Sequence, residues 1–202
     1  ISEIMKKTTL IAVFTFIMCG NMFAQQEKGI TGYDNWLNPW TEFKPNKMEY
    51  GEPTQILSGT IESNTILRKK DVYLLLGDVF ISGGATLTIE PGTVIIGDYK
   101  TKGSLIITEG SKIVAEGTST DPIVFTSSKD VKKAGDWGGL FILGNAPSNR
   151  IEDTSTLNYG LRSSDPNHLI YGGTDGDSSS GILKFVRIEF AGKRTKNFGY
   201  FS

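Results

Sequence analysis

The stretch that decides the fold is Thr86-Leu-Thr-Ile-Glu-Pro-Gly-Thr-Val-Ile95, because it is met again as Ser104-Leu-Ile-Ile-Thr-Glu-Gly-Ser-Lys-Ile113. The offset of 18 residues superposes Leu87 on Leu105, Ile89 on Ile107, Gly92 on Gly110 and Ile95 on Ile113. Strand, glycine turn and strand repeated at this length fit a parallel β-helix. In that fold each coil returns the chain about 4.8 Å farther along an axis, with equivalent residues stacked. On this reading one repeat is one coil, and Leu87, Ile89 and Ile95 stack inward on Leu105, Ile107 and Ile113. Gly92 and Gly110 then take the same corner of successive coils, where a tight turn needs positive φ. An antiparallel sandwich, the competing all-β fold, gives no reason for residue-by-residue repetition. The expected fold class is all-β: a right-handed parallel β-helix.

Outward from the repeat, short β-rich runs punctuated by glycine extend over residues 58–202, which are assigned to the solenoid. A polar excursion over 147–180 reads as a loop leaving it. Beyond the excursion, Leu183, Phe185, Val186, Ile188 and Phe190 mark a strong strand region, with Lys184, Arg187 and Glu189 interleaved toward solvent. Residues 25–57 hold no lasting period of 2 or 3.6 and are rich in turn formers and aromatics, including Trp36 and Trp40. They read as a linker or as an N-terminal cap over the first coil, with a sugar-stacking platform as the other use of the two tryptophans.

Residues 1–24 read as a secretory signal peptide. Lys6 and Lys7 precede an apolar run, Leu10–Met18, too short to span a bilayer, and Ala24 offers the small residue before cleavage. Residues 1–4 then precede the true start at Met5. Acylation of Cys19 is the competing reading, with the bulky Met18 against it. No later run is apolar enough for a transmembrane helix.

The composition of 202 residues, 38% of them hydrophobic, supports one folded domain. The 24 glycines, about 12% against an average near 7%, argue for many turns between short strands. Without residues 1–24 there remain 19 basic and 21 acidic residues, a formal charge of −2 with scattered basic clusters, which speaks against a nucleic-acid partner. Cys19 is the one cysteine, so the mature chain has neither a disulfide framework nor a thiol nucleophile. His168 is the one histidine, in a polar Asp-Pro-Asn-His turn, and is expected at the surface. A zinc site or a Ser-His-Asp triad is therefore not expected.

The strings GATLTIEPGTVI, GSLIITEGSKIVAEGTSTDPIVFTS, GDWGGLFILGNAP and GILKFVRIEFAG, over roughly residues 58–192, resemble a family of large bacterial secreted proteins with right-handed parallel β-helix domains. The resemblance implies fold and export, often with a C-terminal sorting domain for the type IX secretion machinery, and implies no activity. Members continue through further coils, including an acidic, aromatic segment not met here, so the chain is expected to be truncated at its C-terminal end.

Two places offer chemistry. Asp136-Trp137-Gly138-Gly139 reads either as a structural corner with Trp137 under a loop, or as a surface tryptophan that stacks on a sugar. The second reading makes Asp136, Trp137 and Asn145 the candidate ligand-binding residues. Asp175 and Asp177, in Gly-Gly-Thr-Asp-Gly-Asp-Ser, have spacing for oxygen ligands to calcium, with Arg187 as a conceivable base. The set lacks a bidentate glutamate, and these residues are ordinary turn formers. No complete catalytic constellation is present and no cofactor is expected, calcium being the one candidate. The leading expectation is a secreted or surface scaffold for adhesion or binding of a surface polysaccharide or other polymer. The alternatives are a calcium-dependent polysaccharide lyase or hydrolase fragment, and a passive stalk.

Overall fold

The computed structural model describes residues 40–149, 152–157, 159–192, 194–195 and 199–200. The expected signal segment with Cys19, and Trp36, lie outside them. The described chain forms β1 (Gln55–Ile61), β2 (Thr65–Leu67), β3 (Val72–Ile81), β4 (Thr86–Ile89), β5 (Val94–Gly97), β6 (Ser104–Ile107), β7 (Lys112–Glu116), β8 (Ile123–Ser127) and β9 (Gly139–Ile142). After a long excursion that holds β10 (Ser155–Thr156) and β11 (Ile170–Tyr171) come β12 (Gly181–Lys184), β13 (Val186–Ile188), β14 (Arg194–Thr195) and β15 (Gly199–Tyr200).

The ladders between coils are all parallel and sort into three faces. The first face stacks the start of β1, the start of β3, then β5, β8 and β13. The second stacks the ends of β1 and β3, then β6 and β9. The third stacks β2, β4, β7 and β12. A chain that visits three faces in turn and pairs each strand with its equivalent one coil later is a right-handed parallel β-helix, the hand that parallel crossovers take. Among the described residues no helix is long and apolar enough to cross a membrane.

Alternation puts one side of each strand inside. Tyr73, Ile95 and Phe125 form one inward column, Val79 and Leu105 a second, and Leu67, Ile89 and Ala115 a third, all buried in one core. This register corrects the reading of the 18-residue repeat. Leu87 stacks on Ile113 and Ile89 on Ala115, while Leu105 stacks on Val79 and Ile95 on Phe125. The repeated strings thus run between different pairs of faces, third to first and second to third, and Gly92 and Gly110 take two different corners with the same backbone, φ 77° and 79°. What recurs in sequence is the chemistry of a corner. The coil is longer than 18 residues because it visits all three faces, and its length varies because the corner loops differ.

The excursion is no detached loop. Leu143 joins Phe80 and Ile106, on the outer side of the second face, in a second buried cluster, against which Phe141, Leu157, Leu161, Leu169 and Tyr171 pack. The His168 ring stacks on Phe80 at 5.2 Å, and Ser163 Oγ lies 3.0 Å from its Nδ1. His168 is therefore mostly buried rather than displayed, its side chain 13% exposed. Trimming the floor of this cluster by Ile106→Val is expected to cost about 0.5–1.5 kcal/mol. Limited proteolysis should then cut first within 143–180 while the coils stay intact.

Residues 40–54 belong to the stretch expected to be a linker or cap. They cross the outer side of the first face as a strap, with a short 3-10 turn at Pro45–Lys47. At one end Trp40 meets Phe185 edge-on at 5.6 Å; at the other Thr54 N donates to Val72 O at 2.8 Å. The three faces are consequently unlike: one lies under the strap, one under the excursion, and the third presents Ile66 and Ile182 to solvent.

Candidate functional site

The corner before β9 shows what Asp136-Trp137-Gly138-Gly139 is for. Trp137 is wholly buried, 0% exposed, with its ring stacked on Phe125 at 6.3 Å and 10° and its Nε1 donating to Glu189 O at 2.7 Å. It fills the interior where Gly97 leaves space in the inward column of Leu57 and Leu75. A Cβ on Gly97 would lie 2.6 Å from the Trp137 ring. Asp136 is buried too, and its Oδ2 accepts from Ser127 Oγ at 2.9 Å and Lys133 N at 2.8 Å. Gly138 has no room beside Ser104, and Gly139 takes φ 126°. A buried indole cannot stack on a sugar, so the structure corrects the surface reading of Trp137, and of Asp136 with it.

Asn145 lies beyond the far end of β9, separated from Trp137 by the length of that strand. It meets the other candidate pair instead: Asp175 N donates to Asn145 O at 3.2 Å, and Gly173 is pressed against the Asn145 side chain. Asp175 Oδ1 accepts from Asp177 N at 3.0 Å, a turn that the Asp-Gly-Asp sequence makes with its own backbone. Among the described residues no group of three acidic, histidine or cysteine side chains converges to hold a metal ion. Arg187 stands on β13 of the first face, where its side chain meets Tyr50 and Glu189.

The concavity that sequence reasoning missed lies between the strap and the outer side of the first face. It is a cavity of about 680 Å³, walled by residues 46–53 on one side and by Leu74, Ile96, Asp98 and Lys100 on the other, with residues 127–130 and Lys132 at its rim. A second hollow of about 410 Å³ shares Asp98, Lys100, Ser128, Lys129 and Asp130 and adds Tyr99 and Val131. The Tyr99 ring is held by the ammonium groups of Lys102 and Lys129, each 4.2 Å from its centre.

At the edge of the groove the strap is fastened by three side chains. Arg187 Nη2 donates to Tyr50 Oη at 2.6 Å and pairs with Glu189 Oε1 at 3.2 Å, and the Tyr50 hydroxyl donates to the same carboxylate at 3.2 Å. Arg187 and Glu189, expected toward solvent, are instead 13% and 6% exposed in their side chains. They do point out of the solenoid as the alternation requires, but into the strap. Burial raises the Glu189 pKa against the lowering pull of Arg187. The Tyr50 phenol is pushed up to about 12, by burial first and by the Glu189 charge second.

A family model described as a pectate-lyase like beta helix domain matches residues 59–199. The chain belongs to this family. No curated protein and no solved structure matches it. Membership in the pectate-lyase-like β-helix family confirms the β-helix part of the resemblance and fits a function concerned with polysaccharides. In this pectate-lyase-like domain the side chains that line the groove offer ammonium donors, carboxylate acceptors and an aromatic edge, groups that suit a ligand carrying many hydroxyls. No short string announces the groove, because its walls come from the strap and from two separate corner loops.

Proposed function

We propose that the protein is an exported β-helix scaffold that binds a polysaccharide or related extracellular polymer in the groove of the first face, without cleaving it. The observation that carries this reading is the groove itself, about 680 Å³ and lined by Lys47, Lys100, Lys129 and Lys132 beside Glu49, Glu52, Asp98 and Asp130. Sugar hydroxyls both donate and accept, so a lining of both kinds suits them better than an apolar pocket would. Export rests on the leader-like residues 1–24, and surface display by a type IX sorting domain rests on the family resemblance.

The second reading, a lyase or hydrolase, is favoured by one observation. Carboxylates and lysines line the same groove, as acid–base chemistry on one substrate requires. A glycan array, followed by incubation with polygalacturonate and other polymers in calcium and in chelator, separates the two. Binding with no new chain ends supports the scaffold; unsaturated or reducing ends overturn it. Signal that depends on calcium but not on the groove lysines would assign Asp175 and Asp177 to the ion.

For the scaffold, Lys47→Ala and Lys100→Ala are each expected to weaken binding about twofold to fivefold, the effect of a rim charge worth up to about 1 kcal/mol. Calorimetric titration of an array-positive polymer at low and high salt checks this, and the loss should shrink as salt rises. Both side chains are exposed, so the fold should not change.

A further inference from the structure

The two walls of the groove are held in different ways. The solenoid wall presents Leu74 and Ile96, two members of a cross-strand row that continues to Thr126 on a third strand of the ladder; Thr126 is 0% exposed although it faces outward, with the Glu189 carboxylate beside it. The strap wall is mostly exposed: from Phe43 to Thr54 only Pro45, Met48 and Tyr50 are half-buried. Among the described residues its hold between the two ends includes the side-chain contacts of Lys132 Nζ on Met48 O at 3.4 Å and of the Tyr50 hydroxyl between Arg187 and Glu189. A segment with so little buried surface opens at a far smaller free energy than the coils beneath it.

We propose that residues 46–53 are a gate over the groove, latched by Tyr50. Seated on Arg187 and Glu189, Tyr50 closes the row that ends in Thr126; when it leaves, that row opens to a ligand. A single hydroxyl group closes the latch, since it accepts from the guanidinium and donates to the carboxylate. The gate concerns access alone and holds whichever ligand the groove takes, so its test needs no ligand.

The test measures thiol labelling in a Cys19→Ser background, which removes the one native thiol. Ile96→Cys places a probe on the groove wall under the strap, Thr126→Cys a second in the same row beside the Glu189 carboxylate that Tyr50 holds, and Ala115→Cys a control in the solenoid interior. Each is labelled with a disulfide reagent, with and without Tyr50→Phe. Loss of two hydrogen bonds to charged partners is expected to speed labelling at 126 and 96 by about tenfold or more, with no change at 115. Equal acceleration at all three positions, or none at any, overturns the gate: the first makes the strap part of the global folding unit, and the second shows that Tyr50 does not hold it. If one strap-side probe fails to fold, the other decides.

Discussion

Trp137→Ala is expected to destabilise the solenoid by about 3–5 kcal/mol, the range for removing a large buried aromatic. A small domain has only about 5–15 kcal/mol in all, so this is a large fraction of it. The loss has two parts. The indole fills the interior left by Gly97 and lies flat against Phe125, and its Nε1 satisfies the Glu189 carbonyl, which becomes a buried acceptor without a partner. Urea denaturation followed by tyrosine fluorescence measures the change. A companion variant fixes the cause. Gly97→Ala in the wild type forces a Cβ onto the indole and is expected to cost about 1–3 kcal/mol by overpacking. In a Trp137→Gly protein, which removes the Cβ 2.6 Å away together with the ring, the same methyl group loses its close contacts and should cost less. Non-additivity of that sign is the mark of a shared site; additive costs would show that Trp137 and Gly97 do not depend on each other.

The same corner shows why the fold was more legible than the site. Strands follow from period-2 alternation and β-branched residues, so the runs at 86–89, 94–97, 104–107, 112–116 and 123–127 stand where the pattern puts them. The pairing partner of each run does not follow, because the distance from a residue to its stacked equivalent is set by corner loops. Leu87 finds Ile113, 26 positions on, whereas Ile95 finds Phe125, 30 positions on. The 18-residue similarity of two corners therefore gives the right architecture with the wrong register. The site was less legible for a related reason. A tryptophan next to two glycines is compatible with a surface platform and with a buried plug, and the choice depends on Gly97, forty residues away in sequence. Tyr50, Arg187 and Glu189 are scattered over the chain and carry no local motif. Alternation alone sends Arg187 and Glu189 outward, and nothing in their neighbourhood tells that residues 40–54 will cover them.

The strongest pH signature is expected from Arg187→Met. Truncating one partner of a buried ion pair leaves the other charge without compensation, a loss of about 3–5 kcal/mol when that charge is present. Here the remaining charge is on Glu189, whose pKa is already raised by burial. The sign is therefore fixed. A carboxyl group with a raised folded-state pKa contributes stability that is fully present below its unfolded pKa, near 4.3, and is lost as pH rises through the folded pKa. Removing Arg187 takes away the main influence that lowers that pKa, so it rises further and the penalty for ionising grows. The deficit of Arg187→Met against the wild type should be small at about pH 4, where Glu189 carries a proton in both proteins, and should widen steadily as the pH rises to 8. Tyr50 does not blur this window, since its phenol, with a pKa pushed up to about 12, stays protonated throughout and can donate to Glu189 at every pH measured. Denaturation midpoints at several pH values, repeated with Glu189→Gln added, check the assignment. With no carboxyl group to titrate, the deficit should become flat with pH, and a slope that survives Glu189→Gln would place the titrating group elsewhere.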